Sequence, residues 1–309
     1  FHNMKKINKL IGHNYLFQHL IELSQKNILP SKILLSGEKG IGKFLFSSHY
    51  VNYILSQNEE YKYDSENLEI NNKNKSYLLF NSNTHPNIFL INKKDDKKNI
   101  EISQIREMIQ FQNNSSFNNK SKFIIIDNVN DLNINSTNAL LKSIEHPNNN
   151  VFYILTHNSE SLIQDTLKSR CIEFKMFLNI SSCKLIINDY FSKNIYDSLS
   201  VDLINYYNNP SFTISLINYL NENSLNYKTI KIEDLIRLII KKNDYTKNKF
   251  INNNINFLIE LFFYKKIVLT NNIAFKLKKY FYFKLNQIKK YNLDMESFFI
   301  EFQQRLLSE

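Results

Sequence analysis

The first chemistry the sequence offers is a cradle for phosphate. From Lys32 to Phe44 the chain reads Lys-Ile-Leu-Leu-Ser-Gly-Glu-Lys-Gly-Ile-Gly-Lys-Phe, and three of its 4 glycines fall here, at Gly37, Gly40 and Gly42. An apolar, β-branched run feeds these glycines and a helix-permissive stretch follows them. That is the strand–loop–helix order a phosphate-binding loop needs. Without Cβ atoms the backbone N–H groups can turn inward at the positive end of the next helix and hold anionic oxygens. Lys43 would add a point charge. The spacing Gly37-x4-Gly42-Lys43 fits up to the next position, which should carry a hydroxyl for Mg²⁺, but Phe44 stands there. The stretch reads as a phosphate loop that has lost its hydrolytic site. A tight strand-to-helix turn that binds nothing is the alternative.

Asp127 is the second candidate. The apolar run Phe123-Ile124-Ile125-Ile126 ends in Asp127-Asn128. In phosphate-loop proteins a carboxylate at such a strand end orders the water shell of Mg²⁺, and the next acidic residue activates the attacking water. Asn128 is a neutral amide and cannot take that proton. A strand-end cap is the structural alternative for Asp127.

These groups need a scaffold. Leu16, Leu20 and Leu23 predict a helix over 14–28, ended before Pro30. Strands are predicted at 33–36, 87–91, 123–127, 151–156 and 172–174. Helices are predicted at 44–55, 102–111, 138–147 (closed by Pro147) and 161–167. His85-Pro86 reads as a strand entry, because Pro restricts the residue before it to extended geometry. Residues 57–76 are polar and read as an exposed excursion, and residues 93–99 as a charged loop. Strands alternating with helices through residue 174 predict a mostly parallel sheet covered on both faces, with ligands at the carboxyl ends of the strands. Beyond Phe174 the period is helical. Phe257, Phe262, Phe281, Phe298, Phe299 and Phe302 form stripes that suit helix–helix core rather than a cofactor box.

Composition narrows the class. Hydrophobic residues make up 43% and charged residues 22% of the 309, values of an ordinary globular chain. Two cysteines, Cys171 and Cys183, can build neither a disulfide framework nor a four-cysteine zinc site, and suit a reducing compartment. No secretion signal is expected in residues 1–10, and no apolar run is long enough to span a bilayer. The net charge is +10, and from Lys231 onward 15 Lys+Arg stand against 8 Asp+Glu. Such a surface can face nucleic acid, or can simply be a solvated lysine-rich helical face.

Ile11-Gly12-His13, Leu29-Pro30, the glycine loop, His85-Pro86, Ile105-Arg106, Ile126-Asp127-Asn128, Asn138-Ala139-Leu140-Leu141-Lys142 and Ser169-Arg170-Cys171 follow one another in a telling order. In order and spacing they resemble the AAA+ clamp-loader subunits of bacterial DNA polymerase III, most closely their delta-prime branch. The likeness covers about residues 10–175. It implies an α/β AAA+ domain over 1–174, with a parallel five-stranded sheet and helices on both faces. A small helical lid domain at 175–228 and an all-α collar or oligomerisation domain at 229–309 would follow.

The same resemblance implies roles for single residues. Gly37, Gly40, Gly42, Lys43 and Asp127 would line a degenerate nucleotide site with weak or no binding. Arg170 would act in trans on the ATP of a neighbouring subunit, and Arg106 is the candidate DNA contact. No cofactor is required of this chain, ATP being bound by partner subunits. No zinc is expected, since residues 57–84 lack the four cysteines many relatives carry there. The partners implied are the motor subunits and the delta subunit, with the sliding clamp and primed DNA reached through the complex, in the cytoplasm and away from membranes. Motor subunits keep Ser or Thr after the loop lysine, an acidic pair after the third strand, and a lid arginine. Here stand Phe44 and Asn128, and there is no Lys or Arg between Lys193 and Lys228. The expected function is therefore a non-hydrolysing clamp-loader subunit. An active AAA+ motor and a stand-alone basic DNA-binding module are the competing functions.

Overall fold

A computed structural model places Ile33 and Leu35 in one apolar cluster and Leu34 in another, the period-two alternation of a strand buried on both faces. It describes every residue except 1–7, 95–96, 146–147, 149, 205–208, 270, 292 and 308–309. The chain forms two compact units, residues 1–190 with 208–211, and residues 191–207 with 212–309.

In chain order the first unit contains α1 (Asn14–Gln25), β1 (Lys32–Gly37), α2 (Lys43–Leu55), α3 (Lys75–Asn81), β2 (Ile88–Ile91), α4 (Ile102–Asn113) and β3 (Lys122–Ile126). There follow α5 (Ile134–Glu145), β4 (Val151–Asn158), α6 (Asp165–Lys168), β5 (Ile172–Lys175) and α7 (Ile180–Phe191). The five strands are parallel in the order β2-β3-β4-β1-β5. This is the α/β AAA+ sheet that the sequence implies. On one face Ile33, Leu35, Phe123, Ile125 and Ile154 meet Phe17 and Leu20 of α1 and Phe46 and Tyr50 of α2. On the other, Leu34, Ile124, Ile126 and Leu155 meet Ile105 and Met108 of α4 and Leu140 and Ile144 of α5. Phe17 packs edge-on against Phe46 and Tyr50 and stacks on Tyr63. Truncating so buried a ring to Ala costs about 3–5 kcal/mol.

Three expectations need correction. Residues 57–76 are not a wholly exposed excursion: Tyr63, Leu68 and Ile70 are buried in the core. Asp64 and Glu69 exchange backbone hydrogen bonds at 3.0 Å, and Asp64 Oδ1 accepts from Glu66 N and Asn67 N at 3.0 Å each. This turn points three apolar side chains inward from a polar stretch. The predicted helix at 161–167 shrinks to α6. Ser161 N donates to Asn158 O at 3.0 Å, His157 Nε2 donates to Ser161 O at 3.0 Å, and Leu162 is 99% exposed, so a turn occupies that place. The helix predicted at 138–147 starts earlier, at Ile134, with Asn133 Oδ1 accepting from Ser136 N at 2.8 Å. Its proposed stop, Pro147, lies outside the described residues.

Cys183, with Ile186 packed alongside, joins the core beside Met176 and Leu178, so α7 packs with the sheet although it lies beyond residue 174. The second unit contains α8 (Pro210–Glu222) from Phe212 onward, α9 (Ile232–Lys242), α10 (Asp244–Lys247), α11 (Lys249–Leu269), α12 (Asn271–Tyr291) and α13 (Glu296–Phe302). One core runs from Leu203, Phe212 and Leu220 to Ile239, Phe262, Phe281 and Phe302. Its rings interlock, with centroids 5.0 Å apart for Phe281–Phe302 and 5.1 Å for Phe262–Phe302. Helix α9 carries Glu233 and Asp234 in its first turn and Lys241 and Lys242 in its last, in keeping with the helix dipole. It ends on Asn243 at φ 57. Six of the nine described non-glycine residues at positive φ are asparagines, Asn128 among them at φ 65. Among the described residues no helix is long and apolar enough to cross a membrane.

Candidate functional site

The glycine loop joins the carboxyl end of β1 to α2, with β4 paired on one side of β1 and β5 on the other. Gly42 is the N-cap of α2 at φ 92, a backbone only glycine adopts freely, and no side chain caps the first turn. The first N–H groups of α2 therefore open onto the loop. Gly40 (φ 86) admits no side chain for a second reason: a Cβ there would lie 2.4 Å from Asn209 Oδ1. Asn209 belongs to the same compact unit and donates through Nδ2 to Lys39 O at 2.7 Å.

Lys43 turns back on its own loop. The residue is buried (6% exposed), and its ammonium donates to Gly37 O at 2.8 Å and to Glu38 O. Burial pulls its pKa down from 10.5 to about 8, against the opposing pull of the Asp127, Glu160 and Glu38 carboxylates. Phe44 packs toward α3, its ring 6.4 Å from that of Phe80. Apolar packing thus takes the place of a metal-holding hydroxyl.

Asp127 follows β3 and is tied to β4. Thr156 Oγ1 donates to Asp127 Oδ1 at 3.0 Å and accepts from Asn128 N at 2.7 Å. Burial raises the carboxyl's pKa, and the Thr156 hydrogen bond and the Lys43 charge pull the other way. Asn128 spends its amide on neighbours: Nδ2 donates to Asp131 Oδ2 at 2.8 Å and Oδ1 accepts from Asn158 Nδ2 at 3.1 Å. The residues present do not fit a hydrolytic Mg²⁺–nucleotide site, for Phe44 offers no metal ligand and Asn128 no base. Among the described residues no three His, Cys, Asp or Glu side chains are placed to hold a metal ion.

The Ile11-Gly12-His13 segment is docked on the loop. Burial holds the His13 pKa below its usual value, and the neutral ring donates from Nε2 to Ile41 O at 2.8 Å. Beside it lies an open cleft of about 530 Å³, lined by Leu10, Ile11, Gly12, Tyr15, Ser182 and Leu185 among others.

Gly37, Gly40, Gly42, Lys43 and Asp127 therefore gather at one end of the sheet. Arg170 does not join them. It precedes β5, whose Ile172 pairs with Ile33, whereas the loop begins after Gly37. With a rise of roughly 3.3 Å per residue, the two lie at least about 13 Å apart along the sheet. Ser169 is exposed and donates to Thr166 O at 3.2 Å, Cys171 packs on the sheet core, and Arg170 between them is half-buried. Its guanidinium donates from Nε (3.1 Å) and Nη2 (2.7 Å) to Glu145 Oε1 and from Nη1 (2.8 Å) to Thr166 O. Arg106 stands on the exposed side of α4, next to buried Ile105. Sequence reasoning missed Thr156, Asn158 and Glu145. A polar tip on β4 was the one available signal for the first two; nothing local marks Glu145, which meets Arg170 only through the packing of α5 on α6.

A family model described as DNA polymerase III, delta subunit matches residues 12–178, more than half of the chain. DNA polymerase III subunit delta' of Pseudomonas aeruginosa is 28% identical over 140 residues, covering 45% of this chain and 41% of that protein. DNA polymerase III subunit gamma of Buchnera aphidicola subsp. Schizaphis graminum is 28% identical over 169 residues, covering 51% of this chain and 45% of that protein. The match thus spans less than half the length of either relative. A crystal structure of a DNA polymerase III gamma subunit-related protein from Thermotoga maritima shares the fold, with a TM-score of 0.51 at 14% identity over 91% of this chain and 96% of that one.

Proposed function

The chain belongs to the DNA polymerase III, delta subunit family, and from that membership we propose that it is a delta-prime-type, non-hydrolysing AAA+ subunit of a clamp loader. The observation that carries the reading is the position of Arg170. It stands just before the edge strand β5, at the opposite end of that strand from its own glycine loop, where a second subunit can reach it. A guanidinium inserted beside a neighbour's γ-phosphate stabilises the charge that develops during phosphoryl transfer. The chain's own site supports the passive half of the reading, with Lys43 held by loop carbonyls, Phe44 packed on Phe80 and Asn128 in place of a base.

In this role the motor subunits bind ATP and this chain requires no cofactor. Motor and delta subunits are its direct partners, and the clamp and primed DNA are reached through the complex, in the cytoplasm. The aromatic-rich second unit would serve as the collar and Arg106 would face DNA.

The test is a reconstituted complex carrying Arg170→Ala. It should assemble normally yet lose DNA-stimulated ATP turnover and clamp loading. Arginine fingers contribute about 10³–10⁵ in rate at the site they serve, and the whole-complex loss is smaller because other motor sites are untouched. Lysine should rescue poorly, lacking the planar fork that spans two oxygens. Normal clamp loading by an assembled Arg170→Ala complex refutes the role in trans.

The second reading is an active motor, favoured by the equal identity to the gamma relative. Turnover of ATP by the purified chain, abolished by Lys43→Ala, would establish it.

A further inference from the structure

Arg170 is braced by two helices. Glu145, the last residue of α5, takes Nε–H and one Nη2–H on a single oxygen, and the Thr166 carbonyl of α6 takes one Nη1–H. A guanidinium has five N–H groups. Among the described residues the other two, one on each Nη nitrogen, have no acceptor, which leaves both terminal nitrogens a donor to offer phosphate oxygens. An arginine with a free stem would sample many rotamers and lose that freedom on meeting its target. Here the plane of the fork is set in advance, and its donors without an acceptor among the described residues are on the terminal nitrogens.

We propose that Glu145 is a positioning residue for Arg170, holding the guanidinium so that its terminal fork meets a phosphate presented by a neighbouring subunit. The inference rests on the trans-acting role of Arg170. The brace is not a stability device. The Arg170 and Glu145 side chains are 35% and 42% exposed, and ion pairs so solvated contribute little to folding. Nor does Glu145 touch the phosphate; it acts through the arginine alone. Precise placement is what it supplies, and a misplacement of about 1 Å in a reacting group can cost 10²-fold in rate.

This dictates a double-mutant cycle. Complexes reconstituted with Glu145→Ala, Glu145→Gln, Arg170→Ala and the double alanine variant are assayed for DNA-stimulated ATP hydrolysis at varied ATP. Glu145→Ala should produce roughly half or more of the Arg170→Ala loss on a logarithmic scale, in kcat rather than in KM, with assembly and melting temperature unchanged. Glu145→Gln should retain most of the rate, because its amide oxygen still accepts from Nε–H or Nη2–H. The double variant should be no slower than Arg170→Ala alone, as expected when one residue works only through the other. If Arg170→Ala slows the complex while Glu145→Ala does not, or if the two losses add, Glu145 has no positioning role. If Arg170→Ala leaves the rate intact, it is the role in trans that falls, and the brace with it.

Discussion

The side-chain amide of Asn128 donates to the Asp131 carboxylate at 2.8 Å while its oxygen accepts from Asn158 at 3.1 Å. The position where a hydrolysing phosphate-loop protein keeps an acid here ties the loop after β3 to the end of β4. Neither Asn128→Glu nor Phe44→Thr alone should give the purified chain measurable ATP turnover, since each restores only one of the missing parts and breaks packing or hydrogen bonds in doing so. Phosphate release is the measurement, and turnover by either single variant would contradict the reading of a degenerate site.

Lys43 sets a pH dependence for any anion the loop still holds. Its folded pKa is about 8, below the ordinary 10.5. The ammonium is therefore charged below about pH 8 and neutral above it. Weak sulfate or phosphate binding should be present at pH 7, be lost as pH rises through 8, and be absent in Lys43→Ala at either pH. Calorimetric titration at pH 7 and pH 9.5 decides it; equal affinity at the two values would exclude Lys43 as the anion's partner.

His85 sets a stability limb in acid. Burial pulls its pKa from 6.5 to about 4, opposed by Glu59 and assisted by Lys120. Its Nδ1 accepts from Asn87 N at 3.1 Å, which leaves the proton on Nε2, facing Ser76 Oγ at 3.3 Å. The unfolded chain takes up a proton near pH 6.5 that the folded chain resists until about 4, so stability is held above 6.5 and falls across that window. Urea midpoints should drop between pH 7 and 4.5, and drop less in His85→Gln. An identical drop in the variant would assign the limb to other groups.

The second unit predicts how the chain can be cut. A chain ending at residue 228 keeps Leu203, Phe212, Leu216, Tyr219 and Leu220 but removes the partners they are buried against. It should bind hydrophobic dyes and aggregate. A chain ending at Tyr190, which sacrifices only residues 208–211 of the first unit, should unfold in one cooperative step. A soluble, cooperatively folding 1–228 fragment would show that the core divides where sequence periodicity suggests.

The sheet was legible because its strands are short, apolar and punctuated. Ile33-Leu34-Leu35 and Phe123-Ile124-Ile125-Ile126 can be little else than buried strands between turns. Asp127 and Lys43 were legible for the same reason, as they sit at fixed offsets from those strands. Tyr63, Leu68 and Ile70 were not, because three apolar residues scattered in a polar stretch carry no period. Glu145 could not be read at all. Its partner is 25 residues away, and only the packing of α5 against α6 brings them together.

Asn128 also limits which side chains its turn can accept. At φ 65 it occupies a backbone region that asparagine tolerates and most side chains resist, by roughly 1–2 kcal/mol. In a chain with only 4 glycines, asparagine takes most of the described non-glycine left-handed positions, and Asn128 serves the shape of the chain through its backbone as well as its side chain. A glutamate here would meet backbone strain and disturb two hydrogen bonds before any catalytic gain. Backbone and acid chemistry therefore make opposite demands on this one position, and the turn favours the amide over the longer carboxylate.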